Sequence, residues 1–381
     1  MNELTELNER DDDKADKADK ALTQSSVSGS PPATDAQNTG RSKGVMAQAM
    51  GLLKRYKLVV RIVVLALIAG FLGAGVWRSW STLSHYQWDM QWGLFLAGFA
   101  LLVAQELSYA FIWRGILLRM GSRLDVVSSQ RIYLGAEFVR YIPGNVWHVI
   151  TRVLWAEQRG VPKPVGFASM VIELATKITS AALVFAISLF FWPNVGALTS
   201  RIDIPHSALV TAGAVLVPLL LLGLYPRLLE AILNFGLKKL GREPIKITLR
   251  YLDILLVTLF WMVSWLVAGA GFYLIVDSIA GVALSPVLLA LAIGIYSIGW
   301  DVGFMAFVTP SGLGFREVAI IFLLTASTLV PNVIIATVIA FVARLLATGA
   351  ELVCISIAYL IPGAPKQPQT ESLQRAQAEL R

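Results

Sequence analysis

One cysteine and three histidines are all that this chain of 381 residues offers in those types. Cys354 has no second cysteine to pair with, so a disulfide framework and a cysteine-rich metal site are both excluded within one chain. His85, His148 and His206 lie far apart in sequence, which leaves no zinc spacing of the usual kind. Charge is scarce as well, since Asp, Glu, Lys and Arg make up only 15% of the residues. Gly-rich phosphate loops followed by Lys-Ser/Thr, His-Glu-x-x-His, Gly-x-Ser-x-Gly and alternating strand patterns are all missing. These absences predict no enzyme activity, no metal and no cofactor. An intramembrane phosphatase or transferase acting on lipid phosphates would need a base or nucleophile, and only Glu317 and His148 offer themselves for that role.

What the chain has is apolar. It is 56% hydrophobic with a mean hydropathy of +0.65, well beyond a soluble globular domain. A helix crossing a bilayer core of ~30 Å needs roughly 20 mostly apolar residues. Six runs meet that need: 58–77, 92–112, 165–192, 207–225, 251–276 and 334–360. They are too long and too uniformly apolar for barrel strands, so the fold class is all-α, a polytopic membrane protein. Residues 1–45 are polar and rich in Ser, Asp, Lys and Pro, the composition of a disordered tail. The Asp/Lys run in it reads as solvated chain or as a partner-binding tail. Residues 46–362 form the membrane domain, and 363–381 are a polar C-terminal tail. No short apolar stretch near the start marks a cleaved signal, so the first span is expected to remain as an anchor.

Basic residues set the expected orientation. Lys54, Arg55, Lys57 and Arg61 precede the first span, Arg114, Arg119 and Arg123 follow the second, and Arg227, Lys238, Lys239, Arg242, Lys246 and Arg250 follow the fourth. These segments, and with them both termini, are predicted to be cytoplasmic. The opposite loops carry only Arg78, Arg201, Asp89, Asp203 and Asp277 as charged groups. The net charge of +7 therefore reads as positive-inside bias and affinity for anionic lipid, not as nucleic-acid binding. Trp77, Trp80, Trp88, Trp92, Trp113 and Trp192 sit at predicted span ends, where an interfacial belt belongs.

Two apolar regions are interrupted. Pro143-Gly144-Asn145 breaks 126–155, and "TPSGLGFRE", with Pro310, Gly312 and Gly314, breaks 286–328. Helix-breaking backbone at membrane depth is tolerated where protein buries it or where it lines a wet cavity. Both regions are thus expected to be re-entrant hairpins; alternatively 286–307 crosses fully and the second break is a loop. Pro143 and Lys177 are 34 residues apart, as are Pro310 and Arg344. Each unit, 92–192 and 251–360, reads as span, broken hairpin, span with one cation near its middle. Counted by crossings, the units have opposite sense, an inverted-topology repeat of the kind that places a transport site at mid-membrane.

Three stretches carry a resemblance: "YIPGNVWHVITRVLWAEQRGV" (141–161), "TPSGLGFREVAI" (309–320) and "AFVARLLATGAELV" (340–353). Together they resemble the membrane domain of the lysylphosphatidylglycerol synthase and flippase family, over most of residues 50–360. The Pro-x-Gly-x-Gly-x-Arg-Glu of 310–317 is the more specific motif. The Pro-Gly-x-x-Trp form at 143–147 resembles a branch found with bacterial envelope glycan and polyprenyl-linked lipid genes. The resemblance implies an inner-membrane protein that moves or presents a lipid with an anionic head group. The family's aminoacyl-transferring domain is not expected, because only the polar segment 362–381 follows the last span.

An ionisable side chain in mid-span costs roughly 2.5–3.5 kcal/mol, so such groups are paired or functional. Glu173 and Lys177 stand at i and i+4, which predicts either a self-neutralised pair or a site where Lys177 leaves Glu173 to grip a phosphate. Arg344 has no acid four residues before it, and its same-face acid Glu351 is two turns on. Arg152 and Arg316 follow the breaks, where restarting helices direct free N–H groups and their positive dipole ends. Arg316 either binds an anion there or pairs with its neighbour Glu317. Arg152, Lys177, Arg316 and Arg344 are therefore the expected head-group ligands, in two opposed cavities of two cations each. Glu173, Glu317, Glu351 and His148 are the expected proton or ion-pair partners. Glu137 and Arg140 read as interfacial snorkelling groups, and Glu106, Tyr296 and Asp301 as secondary lining. The function expected is lipid translocation; the alternative is a scaffold that holds an envelope glycosyltransferase or aminoacyl-lipid enzyme through the tail or the basic loop 226–250.

Overall fold

A computed structural model describes residues 89–138, 147–192, 206–239, 244–306 and 312–360. The expected span 58–77, both tails, Arg140, Pro143, Gly144 and Pro310 lie outside the described residues. Ten helices are described: α1 (Trp92–Arg119), α2 (Val126–Phe138), α3 (Trp147–Glu157), α4 (Lys163–Ser188), α5 (His206–Gly223), α6 (Pro226–Lys239), α7 (Tyr251–Ala280), α8 (Pro286–Met305), α9 (Phe315–Ala326) and α10 (Val333–Leu360). A 3-10 turn, Leu189–Phe191, extends α4. No strand occurs among the described residues. The chain is an all-helical, multi-pass membrane protein. Five helices, α1, α4, α7, α8 and α10, are long and apolar enough to cross a membrane.

Local chemistry sets the ends. The α7 start is held by Asp253, whose Oδ2 accepts the Arg250 amide at 3.2 Å, and its end by Gly281 at φ 64°. Asp125 caps α2, accepting the Ser128 amide at 2.8 Å. Burial pushes its carboxyl upward, but the Ser128 hydrogen bonds outweigh that and hold it below the usual carboxylate range. The expected span 207–225 is interrupted at its end: Gly213–Gly223 and Pro226–Phe235 diverge by 71°. Proline cannot continue the helical bonding there. The expected basic loop after it contains α6.

Both interrupted regions form helical hairpins. In the first, Arg159 reaches Ser128 and Arg152 reaches Glu137, so α2 and α3 run antiparallel. At a rise of about 1.5 Å per residue their 13 and 11 residues span roughly 20 and 17 Å, too little to cross alone. In the second, Gly303 meets Arg316 and Gly299 meets Ile320, so α8 and α9 are antiparallel too. Here α8, with 20 residues, has the length of a full span and α9, with 12, does not.

Helix directions follow from such contacts. Gly98–Gly271, Ser108–Ser264 and Arg119–Asp253 make α1 and α7 antiparallel. Phe99–Gly349 and Val103–Cys354 make α1 and α10 parallel. Ser188–Gly294 and Lys177–Trp300 set α8 against α4, and Trp265–Trp300 and Gly269–Ile293 set it against α7. The sequence of directions in α1 to α4 is thus reversed in α7 to α10, as an inverted repeat requires. At the α1/α7 crossing a Cβ on Gly271 would stand 2.8 Å from the Gly98 carbonyl oxygen, so the backbones meet only because both residues are glycine.

Two apolar cores flank a polar layer. On α4, Ala168 and Ile172 belong to one core and Ala181 and Val184 to the other. Between them Glu173, Thr176, Lys177, Thr179 and Ser180 are all buried. The same division separates Trp261 from Trp265 on α7. Buried polar groups in such a layer need partners, and these come from the hairpins.

Candidate functional site

The polar layer encloses a cavity of about 370 Å³, within the range of roughly 300–1,000 Å³ typical of small-ligand pockets. Arg152, Lys177, Arg316 and Arg344 all line it, together with Glu106, Glu137, Glu173, Glu351, His148, Tyr296 and Gly312. The sequence separates the four cations into two sites of two; the fold brings them to one cavity instead, because α3, α4, α8, α9 and α10 converge there. Asp301 does not line it.

Arg152, on α3, is 3% exposed and lies between two carboxylates. Its Nη1 is 2.6 Å from Glu173 Oε2 and its Nη2 is 3.0 Å from Glu137 Oε1. Tyr133 donates its hydroxyl to Glu173 Oε1 at 2.7 Å, and the guanidinium lies 4.0 Å from the Tyr133 ring and 5.5 Å from that of Trp113. One cation thus serves two acids, and Glu137 is a buried partner, not a snorkelling group at an interface. The acid of the Glu173/Lys177 spacing is turned to Arg152, 21 residues back.

Lys177 occupies an aromatic cage. Its ammonium is 3.7 Å from the Tyr109 ring, 4.4 Å from Trp300 and 4.8 Å from Trp261. The quadrupoles of three rings stabilise a cation here without neutralising it. The α4 backbone is tied to the same wall, since Trp265 Nε1 donates to Ser180 Oγ at 3.0 Å.

The second hairpin is built differently. Gly312 (φ 67°) and Gly314 (φ 89°) adopt the left-handed backbone that glycine tolerates, so the chain turns tightly against Gly303 and restarts as α9. Glu317 Oε2 accepts the Gly314 amide at 2.7 Å, and its Oε1 lies 3.8 Å from Arg344 Nε on α10. Its carboxylate is therefore directed to the cap and to Arg344. Among the described residues no carboxylate pairs with Arg316. Arg316 is 7% exposed, its guanidinium stands 4.9 Å from the Tyr296 ring, and its Nη2 is buried with no hydrogen-bond partner among the described residues. A Cβ on Gly303 would stand 2.9 Å from that of Arg316, so Gly303 makes room for this placement. The two hairpins mirror each other with signs exchanged: Arg on α3 with Glu on α4, and Glu on α9 with Arg on α10.

The model of the lysylphosphatidylglycerol synthase TM region matches residues 56–350. The chain belongs to this family. Its function is accordingly membrane-based and lipid-related. No match was found among curated proteins, and none among solved structures. Sequence reasoning missed the Lys177 cage and the role of Tyr133. A partial signal was present: Trp261 and Trp300 stand away from the expected span ends where an interfacial aromatic belt would put them, whereas Tyr109 lies near the expected end of 92–112.

Proposed function

We propose that this family member translocates a lipid with an anionic head group, a phospholipid or a polyprenyl-phosphate-linked envelope precursor, across the cytoplasmic membrane of a bacterium. The observation that carries this reading is Arg316, a buried guanidinium lining the cavity whose Nη2 has no hydrogen-bond partner among the described residues. A desolvated donor of this kind is costly until an acceptor arrives, and a phosphate oxygen suits the planar fork of arginine. The restarting α9 adds its dipole in the same place, and Arg344 lines the same cavity. Arg152, held between two acids, serves better as the clamp of the first hairpin than as a ligand.

Orientation is supported by charge. The α1 C-terminus and the α7 N-terminus meet through Arg119 and Asp253, and Arg123, Lys163, Lys246 and Arg250 lie in or beside the segments that share that end. Gln91 and Ser278 meet at the other end, beside Asp89 and Asp277. The positive-inside rule makes the first end cytoplasmic, and α10, parallel to α1, then terminates there. Alternating access follows from rocking of the two inverted units about the cavity.

Vesicles loaded with fluorescent phosphatidylglycerol and reduced from outside by dithionite test this directly. The protein should raise the reducible fraction above one leaflet, and Arg316→Ala should slow exchange by roughly 10-fold or more, the loss of one charged hydrogen bond. The scaffold reading predicts no exchange with either protein.

A further inference from the structure

The cavity opens on its apolar side. Among the described residues that line it, none of the charged ones is exposed, and Arg152, Glu173, Lys177, Arg316 and Glu351 are buried. The lining residue that is exposed is Leu174 of α4, at 39%, although its neighbour Glu173 is 6% exposed. Leu174 ends a stripe. Phe167, Met170, Val171 and Leu174 all line the cavity and stand at i, i+3, i+4 and i+7, one face of the helix, which Lys177 continues into the polar layer. At a rise of about 1.5 Å per residue the stripe is roughly 10 Å long.

The surroundings of this opening are apolar as well. Val149 on α3 and Trp300 and Phe304 on α8 line the cavity and are half-buried, and the two rings of α8 are stacked at 5.3 Å. On the same helices Ile150 and Leu154, and Val302 and Met305, are exposed. In a membrane-spanning chain, exposed apolar surface of this kind faces hydrocarbon, while ionised groups turn to the interior. A cavity that took its ligand from water would have an opening edged by polar groups; this one is edged by leucine, isoleucine and methionine. Its volume of about 370 Å³ suits a small ligand. It takes a phosphate head group and the start of a chain, and the rest of a lipid has to pass out through the opening.

We infer that the α4 stripe is the chain subsite of the lipid whose phosphate sits at Arg316. The inference rests on the head-group reading and deepens it. The hydrocarbon next to the head group lies against Phe167, Met170, Val171 and Leu174, leaves the cavity across Leu174 and continues in the bilayer. Phosphate and chain are held together, so the ligand is an amphiphile that enters sideways from lipid, not a free phosphate ester that enters from water.

A photoreactive side chain at the opening tests this. Leu174→p-benzoylphenylalanine is reconstituted in vesicles of phosphatidylcholine with minor amounts of phosphatidylglycerol and a polyprenyl phosphate, irradiated, and its adducts are identified by mass spectrometry. Val263 of α7, which is exposed and does not line the cavity, carries the same probe as the reference for bulk lipid. The adducts at 174 should be enriched several-fold in one of the two anionic lipids relative to those at 263, and Arg316→Ala, matched for melting temperature, should return them to the bulk composition. Bulk composition at 174 in a protein that still retains anionic lipid through Arg316 during purification overturns the chain subsite and leaves the head-group reading standing. Bulk composition at 174 with no lipid retained overturns both. Enrichment that survives Arg316→Ala separates chain from phosphate and contradicts the inference, as does a probe at 174 that forms no lipid adduct. If the Leu174 variant does not fold, the same probe at Met170 reads the same stripe.

Discussion

Arg152 binds Glu173 at 2.6 Å while Arg344 and Glu317, the corresponding pair of the other unit, stand 3.8 Å apart. The first pair is short, doubled by Glu137 and enclosed by aromatic rings. The second is long and shares its carboxylate with a helix cap. The two hairpins are therefore unequal in their electrostatics: one is closed by its own charges, and the other holds a cation whose Nη2 has no hydrogen-bond partner among the described residues.

Removal of Arg152 leaves two buried carboxylates without their cation. Arg152→Ala is expected to destabilise the fold by about 3–5 kcal/mol, and Glu137→Gln by clearly less, because it removes the surplus acid. Thermal unfolding in detergent, followed by tryptophan fluorescence, ranks the two variants.

Glu317 does two separable things. Glu317→Gln retains an acceptor for the Gly314 amide but removes the negative charge beside Arg344, so anionic lipid should bind several-fold more tightly at unchanged stability. Glu317→Ala also loses the cap and should cost about 1 kcal/mol. Lipid affinity and melting temperature, measured on both variants, separate these effects.

The α1/α7 crossing depends on Gly98 and Gly271. Gly271→Ala places a methyl against the Gly98 carbonyl and should cost roughly 1–3 kcal/mol by forcing the helices apart. The cavity is lined from α1 by Glu106 and Tyr109, so lipid binding should weaken along with stability. Melting and lipid titration of this one variant check both.

Leu229, Leu233 and Leu237 of α6 are buried, while Leu228, Ile232 and Phe235 form an exposed apolar face. With Arg227 and Lys238 beside it, this is the pattern of a helix lying in the membrane interface, roughly 5–10 Å into the headgroup boundary. A tryptophan placed by Ile232→Trp should be quenched by lipids brominated near the head group. Lack of quenching would give this face to a protein partner and favour the scaffold.

Much of this architecture is legible in the sequence because hydropathy and length govern lipid-spanning helices. The runs 92–112, 165–192, 251–276 and 334–360 reappear as α1, α4, α7 and α10, and the first interrupted region as a short-helix hairpin, while in the second α8 is long enough to cross and only α9 is short. The site is less legible, since its pairs are long-range. Glu173 has a cation four residues on in sequence, yet it binds one brought by a neighbouring helix. Glu137 looks interfacial because it precedes a break, yet the hairpin folds it under Arg152. The 71° turn after Gly223 depends on Pro226, which an apolar-run criterion does not weigh.

The central claim is that Arg316 holds a lipid phosphate, and co-purifying lipids test it most directly. Wild type and Arg316→Ala are extracted in mild detergent, matched for melting temperature and monodispersity, and their bound lipids identified by mass spectrometry. Enrichment of one anionic lipid in the wild type, lost in the folded variant, is the predicted result. The same bulk-like lipid profile in both would contradict it.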